Sequence, residues 1–244
     1  MLWREGESLL LYFKVGIYPK RWRTYVCVGS LEAGGPRWSE ARELVPGDVG
    51  GRGPVKNKPI RLAEGVFLCG ASLENDAGWD CFAERSHDGL VWEASPLVPR
   101  DESIPGRGII QPTLWEISPS HVAMLCRSNA GCLVRSDSRD AGRTWEGART
   151  TALPNNGSGV DLATLADGSL LLASNPVSDA WGARTPLTLQ RSRDKGETWS
   201  QVAVLAEGPG EFSYPAVVAS GKGALVSYTH DRREIRVVRW EPDA

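Results

Sequence analysis

The sequence predicts an all-β protein of about five repeated β-propeller blades, and three observations predict it. An eight-residue element occurs twice, in SRDAGRTWE at Ser138–Glu146 and in SRDKGETWS at Ser192–Ser200, 54 positions apart. Two weaker versions, SLEAGGPRW from Ser30 and SHDGLVW from Ser86, extend the series at intervals of 56 and 52 residues. A period near fifty is that of a four-stranded propeller blade. A pattern of apolar run, tight turn and second apolar run keeps the same beat, and no helical stretch of ten residues stands out.

The hairpins come in order. LWREGESLLLYFKVG opens the chain, followed by RLAEGVFLCGAS (Arg61–Ser72), LWEISPSHVAMLCRS (Leu114–Ser128), TLADGSLLLASN (Thr164–Asn175) and VVASGKGALVSYTH (Val217–His230). The second run of each is mostly apolar, as a strand buried on both faces requires. The final unit ends in EIRVVRW, an outer strand without a box. One domain over 1–244 follows, with approximate blades 1–50, 51–105, 106–155, 156–208 and 209–244.

The repeated element reads as a turn between two outer strands. Gly142 and Gly196 supply backbone freedom. Asp140 and Asp194 bond local amides. Trp145 and Trp199 bury large rings between strands or blades. A single Asp per turn supplies too few oxygens for calcium, so no metal site is expected.

Composition narrows the function. Net charge is −2 with 24% charged residues, and no basic patch dominates, so nucleic acid is not an expected partner. Five cysteines, an odd number without a C-x-x-C, argue against a disulfide framework or a zinc site. MLWREGESLL lacks the pattern of a signal peptide, and no apolar run reaches transmembrane length. The default expectation is a cytoplasmic chain with no membrane partner.

The two strong boxes match the Asp-box, or bacterial neuraminidase repeat. Three segments sharpen the likeness: ASNPVSDAWGARTPLTLQRSRDKGETW (Ala173–Trp199), GEFSYPAVVASGKGALVSYTHDRREIRVVRW (Gly210–Trp240) and GIIQPTLWEISPSHVAMLCRS (Gly108–Ser128). Together they resemble the sialidase superfamily, in the sialidase-like branch with the wording NKPI (Asn57–Ile60) and QPTL (Gln111–Leu114). The resemblance spans the chain and implies a six-bladed sialidase-like β-propeller, of which about five blades are expected here.

What the resemblance implies for the site follows residue by residue. Arg127 and Arg184 correspond to two arginines of the triad that grips the sialic acid carboxylate, a job suited to the planar guanidinium fork. Tyr214 corresponds to the nucleophile. A neutral phenol avoids the repulsion an anionic attacker would meet at an anomeric carbon bearing a carboxylate, but ionising it at pH 7 costs about 4 kcal/mol. The family's acidic partner falls at Gln111, and an amide cannot act as a base. Glu211, Glu74 and His230 are the candidates to replace it. Asn175 lines the pocket or fixes a loop. Asp161 orients a loop or contacts a sugar hydroxyl. Arg52 and Lys56 either add positive charge to the site or are solvated loop charges, the latter being the simpler reading.

The unit that would carry the first triad arginine and the acid/base residue has no counterpart near Met1. Three explanations compete: a fragment or misassigned start, a ring that closes with five blades, or an open ring whose exposed strand edge self-associates with another subunit. The expected function is an exo-sialidase-like glycoside hydrolase acting on sialic acid or a related acidic sugar, without cofactor. The alternatives are a propeller that binds acidic glycans without cleaving them, and a uronic-acid polysaccharide lyase.

Overall fold

A computed structural model of the protein describes residues 1–242. Its backbone forms five antiparallel sheets, arranged as successive blades of a propeller. Blade 1 holds β1 (Leu2–Glu5), β2 (Ser8–Val15), β3 (Arg23–Glu32) and β4 (Gly35–Trp38), with β5 (Arg42–Glu43) also pairing to β3. Blade 2 is β6 (Ile60–Arg61), β7 (Phe67–Asn75), β8 (Gly78–Ser86) and β9 (Glu93–Ala94). Blade 3 is β10 (Ile109–Ser118), β11 (His121–Ser128), β12 (Cys132–Ser138) and β13 (Arg149–Pro154). Blade 4 is β14 (Asp161–Thr164), β15 (Leu170–Ser174), β16 (Leu187–Ser192) and β17 (Ser200–Ala206). Blade 5 has three strands, β18 (Phe212–Ser220), β19 (Gly223–His230) and β20 (Glu234–Trp240). The predicted hairpins are the first two strands of each blade.

Two-residue periodicity explains how a nearly unbroken apolar run serves two neighbours. On β11, Val122, Met124 and Cys126 pack with Leu68, Cys81 and Ala83 of blade 2. The intervening Ala123 and Leu125 pack with Leu162, Leu170 and Leu172 of blade 4. On β15, Leu170 and Leu172 face blade 3, whereas Leu171 and Ala173 meet Val217, Ala224 and Val226 of blade 5. Blades 1 and 2 join through Leu10, Tyr12, Val26, Phe67, Cys69 and Trp92.

Three boxes form as expected, between the third and fourth strands of blades 2, 3 and 4. In blade 3, Ser138 Oγ accepts from the Gly142 amide at 2.8 Å. Asp140 Oδ1 accepts from the amides of Arg143 and Thr144 at 3.0 and 2.8 Å. Blade 4 repeats this, with Gly196 on Ser192 Oγ and Thr198 on Asp194. The box carboxylates are thus engaged by their own turns. Gly142 has φ +83° and lies so close to blade 2 that a Cβ would fall 2.5 Å from Leu68 Cδ1. Trp145 is buried between blades 2 and 3, and Trp199 packs against the cluster between blades 3 and 4.

The first of the four expected boxes is instead a β-hairpin. Glu32 pairs with Gly35 across a two-residue connection, and its carboxylate reaches Arg37 at 3.8 Å on the exposed surface. Glu32 stays within the strand, where it cannot cap a turn. Trp38 folds onto Gly29 of its own sheet rather than onto a neighbouring blade.

Blade 5 is covered on its blade 4 side and open on the other, where Val218, Ile235 and Val237 are exposed. Among the described residues, each hydrophobic cluster that joins two blades joins blades consecutive in sequence, and none links blade 5 to blade 1.

Candidate functional site

Gln111 and Tyr214 stand at corresponding places in blades 3 and 5. Each precedes a proline in the first strand of its blade, and each lies where the pairing register shifts. Both have left-handed backbones, with φ of +56° for Gln111 and +52° for Tyr214. Bulky residues adopt this conformation at a cost of order 1–3 kcal/mol, and such strain gathers at functional sites. The bulge redirects both side chains toward one place. A Cβ built on Gly159 would lie 3.3 Å from Gln111 Oε1, 3.5 Å from Tyr214 Cδ1 and 3.2 Å from Lys56 Cε. Gly159 is therefore a floor on which three side chains meet, from blade 3, blade 5 and the connection between blades 1 and 2.

The two predicted arginines flank this group. Arg127, at the end of β11, is buried and donates from Nη1 to Gln111 Oε1 at 3.2 Å. Its guanidinium also lies over the Trp79 ring, 5.2 Å from the centroid. Arg184, from the loop between β15 and β16, places its Cζ 5.1 Å from the Tyr214 ring centroid. Partial burial opposes ionisation of Tyr214. Contact with Arg184 and the charges on Arg184, Arg127 and Arg232 outweigh it and hold the phenol below its ordinary pKa. Tyr214 remains 37% exposed, so a ligand can reach it.

The candidates for a base separate. Glu211 lies beside Arg184, whose Nη1 donates to Oε1 at 3.0 Å. Ser213 Oγ donates to the same oxygen at 2.8 Å, and Arg232 Nε lies 3.1 and 3.2 Å from the two oxygens. Burial opposes it, but the bonds from Ser213 and Arg232 and the charge on Arg184 keep the Glu211 carboxyl below its usual value. Glu211 therefore positions arginines and is a poor proton acceptor. Glu74 accepts from Trp79 Nε1 at 3.2 Å and acts on Arg127 through its charge. His230 stacks on Phe212, 5.1 Å between ring centres, and lies 3.5 Å from Asp231.

Asp161, Asn175, Arg52 and Lys56 take up different places. Asp161 is only 2% exposed and ties blades 3, 4 and 5 to the connection between blades 1 and 2. It takes Lys58 Nζ at 2.8 Å, the Thr113 hydroxyl at 3.2 Å and the Val217 amide at 2.8 Å, which leaves it no role as a sugar ligand. Asn175 is fully buried, and its Nδ2 donates to the carbonyls of Pro186 and Phe212, so it fixes the loop that carries Arg184. Arg52 is bound to Glu84 Oε1 at 2.6 Å and to the Trp92 carbonyl, at the junction of blades 1 and 2. Lys56 is the opposite case. It is not a solvated loop charge but part of the site floor.

Sequence reasoning also missed Arg232 and Trp79. Arg232 enters because Asp231 and Arg232 both adopt left-handed φ in the β19–β20 turn, at +50° and +53°. The signal was the DRR cluster between two strands. Trp79 carried none beyond its aromatic character.

The sequence model of the BNR repeat-like domain matches residues 1–226. No curated protein matches the chain. Among solved structures, a Trypanosoma rangeli sialidase mutant displaying trans-sialidase activity superposes with a TM-score of 0.72 at 14% identity, over 98% of this chain and 43% of the other. A Dyadobacter fermentans protein of unknown function gives 0.71 at 16% identity, over 97% of this chain and 73% of that one. Streptococcus pneumoniae NanB sialidase gives 0.61 at 16% identity, over 84% and 32%. The chain thus spans less than half the length of the sialidases it matches.

Proposed function

Since the chain belongs to the BNR repeat-like domain family and folds as a sialidase-like propeller, we propose that it binds a terminal acidic sugar, sialic acid or a close relative, and cleaves its glycosidic bond. One observation carries this reading: Tyr214, strained and exposed, is set between Arg127 and Arg184. Two guanidiniums aimed at one phenol favour a carboxylate beside it and ease ionisation of the hydroxyl.

In this reading Arg127 and Arg184 hold the sugar carboxylate and align the anomeric carbon over Tyr214. The phenolic oxygen forms a bond to that carbon as the bond to the leaving oxygen breaks. The phenol loses its proton to solvent water, the leaving oxygen takes one from solvent water, and a further water then attacks the anomeric carbon, giving its hydroxyl to the sugar and a proton to the departing tyrosine oxygen. Retention of configuration follows from two displacements.

A second reading, binding without cleavage, is favoured by Gln111. Its amide occupies the place beside Arg127 and Tyr214 where a proton acceptor would serve.

Two measurements separate the readings. Thermal stabilisation by sialic acid, its 2,3-dehydro analogue and glucuronate tests binding by mass action, with Arg184→Ala as control. Selective stabilisation that is lost in Arg184→Ala supports the acidic-sugar site, and its absence in a cooperatively melting protein overturns it. Incubation with 2,3-difluorosialic acid, followed by intact mass and peptide mapping, tests cleavage. An adduct on Tyr214 supports a glycosidase, and binding without an adduct supports the second reading.

A further inference from the structure

We infer that Lys56 is a ligand-contacting residue of this site, and that it makes capture of the acidic sugar a proton-coupled event. This rests on the acidic-sugar reading above. The chemistry of Lys56 begins with its place. It lies in the connection between blades 1 and 2, yet its Cε packs over Gly159 beside Gln111 and Tyr214, 3.2 Å from where a Cβ would sit. Gly159 immediately precedes Val160, whose carbonyl accepts from Lys56 Nζ at 3.2 Å. Asn57 Oδ1 accepts a second bond from the ammonium at 2.9 Å. A lysine ammonium has three donors. These two bonds hold the side chain in place, which leaves one donor to meet a ligand group beside Tyr214.

The groups around Lys56 set its charge. Asp161 in blade 4 favours the ammonium, while Lys58 on the same connection and Arg127 in blade 3 oppose it. Tyr214 faces it from blade 5 across Gly159. Burial is the largest influence and, with the two cations, pushes Lys56 down to about 8. Near neutral pH the free site therefore exchanges a proton readily. A bound carboxylate or anionic hydroxyl adds negative charge beside the amine and favours its protonation. Binding then draws a proton from solution, and affinity falls as pH rises past the Lys56 pKa. Arg127 and Arg184 cannot produce this, because guanidinium stays charged throughout the range.

The experiment is calorimetric binding of sialic acid and its 2,3-dehydro analogue to the full chain from about pH 6 to about pH 9.5, in paired buffers of different ionisation enthalpy. The expected result for the unmodified chain is uptake of about half a proton near pH 8. Affinity should fall by up to about tenfold per pH unit above that. Lys56→Arg should bind without proton uptake, and Lys56→Met should bind about tenfold or more weakly with no uptake. Tyr214→Phe should keep the uptake, because the phenol is not its source. Thermal unfolding establishes that each variant is folded, and Lys56→Arg preserves the test if the Met variant is not. Uptake that persists in Lys56→Arg, or a folded Lys56→Met that binds as the unmodified chain does, overturns the role of Lys56 and leaves the acidic-sugar reading standing. Failure of the unmodified chain to bind at any pH overturns that reading, and the assignment of Lys56 with it.

Discussion

The Arg184 guanidinium lies 5.1 Å from the centre of the Tyr214 ring, and this pairing favours ionisation of an exposed phenol of the site. The cation stabilises the phenolate more than the phenol, so it lowers the pKa despite partial burial. Arg184→Ala removes the largest favourable influence and leaves the burial. Tyr214 should then titrate higher than in the unmodified protein, as read from its ring-carbon NMR shift against pH. An unchanged or lower value would show that Arg184 does not govern it.

Gln111→Glu tests the site from the opposite wall. Gln111 Oε1 already accepts from Arg127 Nη1 at 3.2 Å, and a carboxylate there would pair with the same guanidinium. It would compete with the sugar carboxylate while supplying a proton acceptor to the Tyr214 neighbourhood. The expected outcome is weaker binding of sialic acid, by about tenfold, together with a rise in turnover of an aryl sialoside. Weaker binding without turnover would favour the binding-only reading.

Much of the fold is legible in the sequence because its signals are local. The Ser-x-Asp-x-Gly-x-Thr-Trp turns close on themselves through Asp140 and Asp194, so the motif and the structure coincide. The first box fails because Glu32 replaces the short carboxylate and the stretch carries one extra residue before Trp38, so Glu32 pairs with Gly35 across a hairpin. The site is less legible because its members converge from far apart. Lys56 meets Gln111 and Tyr214 only after the blades are arranged, and nothing in GGRGPVKNKP distinguishes Lys56 from Arg52, which is drawn away to Glu84. Asp161 resembles a sugar ligand in the sequence because a buried hub and a ligand both need a carboxylate near the ends of strands.

The hub makes its own prediction. Asp161 joins Thr113 of blade 3, the Val217 amide of blade 5 and Lys58 of the connection between blades 1 and 2. Asp161→Ala takes the carboxylate from the half-buried Lys58 ammonium, which keeps its bond to the Leu162 carbonyl, and strands the buried Val217 amide. Loss of one member of such a network costs about 3 kcal/mol or more. Denaturant unfolding should show that loss with little change in the slope. A cost under about 0.5 kcal/mol would mean the Asp161 hub is not structural.

Gly142 and Gly147 offer a matched pair. Gly142 has φ +83° and would place a Cβ 2.5 Å from Leu68, whereas nothing lies within 4 Å of a Cβ on Gly147. Gly142→Ala carries both backbone strain and a clash with blade 2, together about 2 kcal/mol. Gly147→Ala should change stability by less than about 0.5 kcal/mol. Thermal unfolding of the two variants side by side checks the contrast, and equal melting temperatures would refute the close approach of the box to blade 2.

Acid should weaken blade 3 through Asp137. This buried carboxylate pairs with Arg135 at 2.9 Å, His121 at 3.0 Å and Arg149 at 2.7 Å. Burial opposes its ionisation, but hydrogen bonds from Arg135, His121 and Arg149 prevail and hold it at about 2. An unfolded aspartate titrates near 3.9, so the folded value is depressed. The stabilisation is therefore fully present above about pH 4 and is lost as pH falls through about 2. Asp137→Asn should be less stable at neutral pH by about 3 kcal/mol, since it takes the counter-charge from the buried Arg135 guanidinium. The gap between the unmodified protein and the variant should narrow on acidification between about pH 4 and about pH 2. A gap that stays constant over that range would place the acid sensitivity elsewhere, in the exposed carboxylates of the box turns.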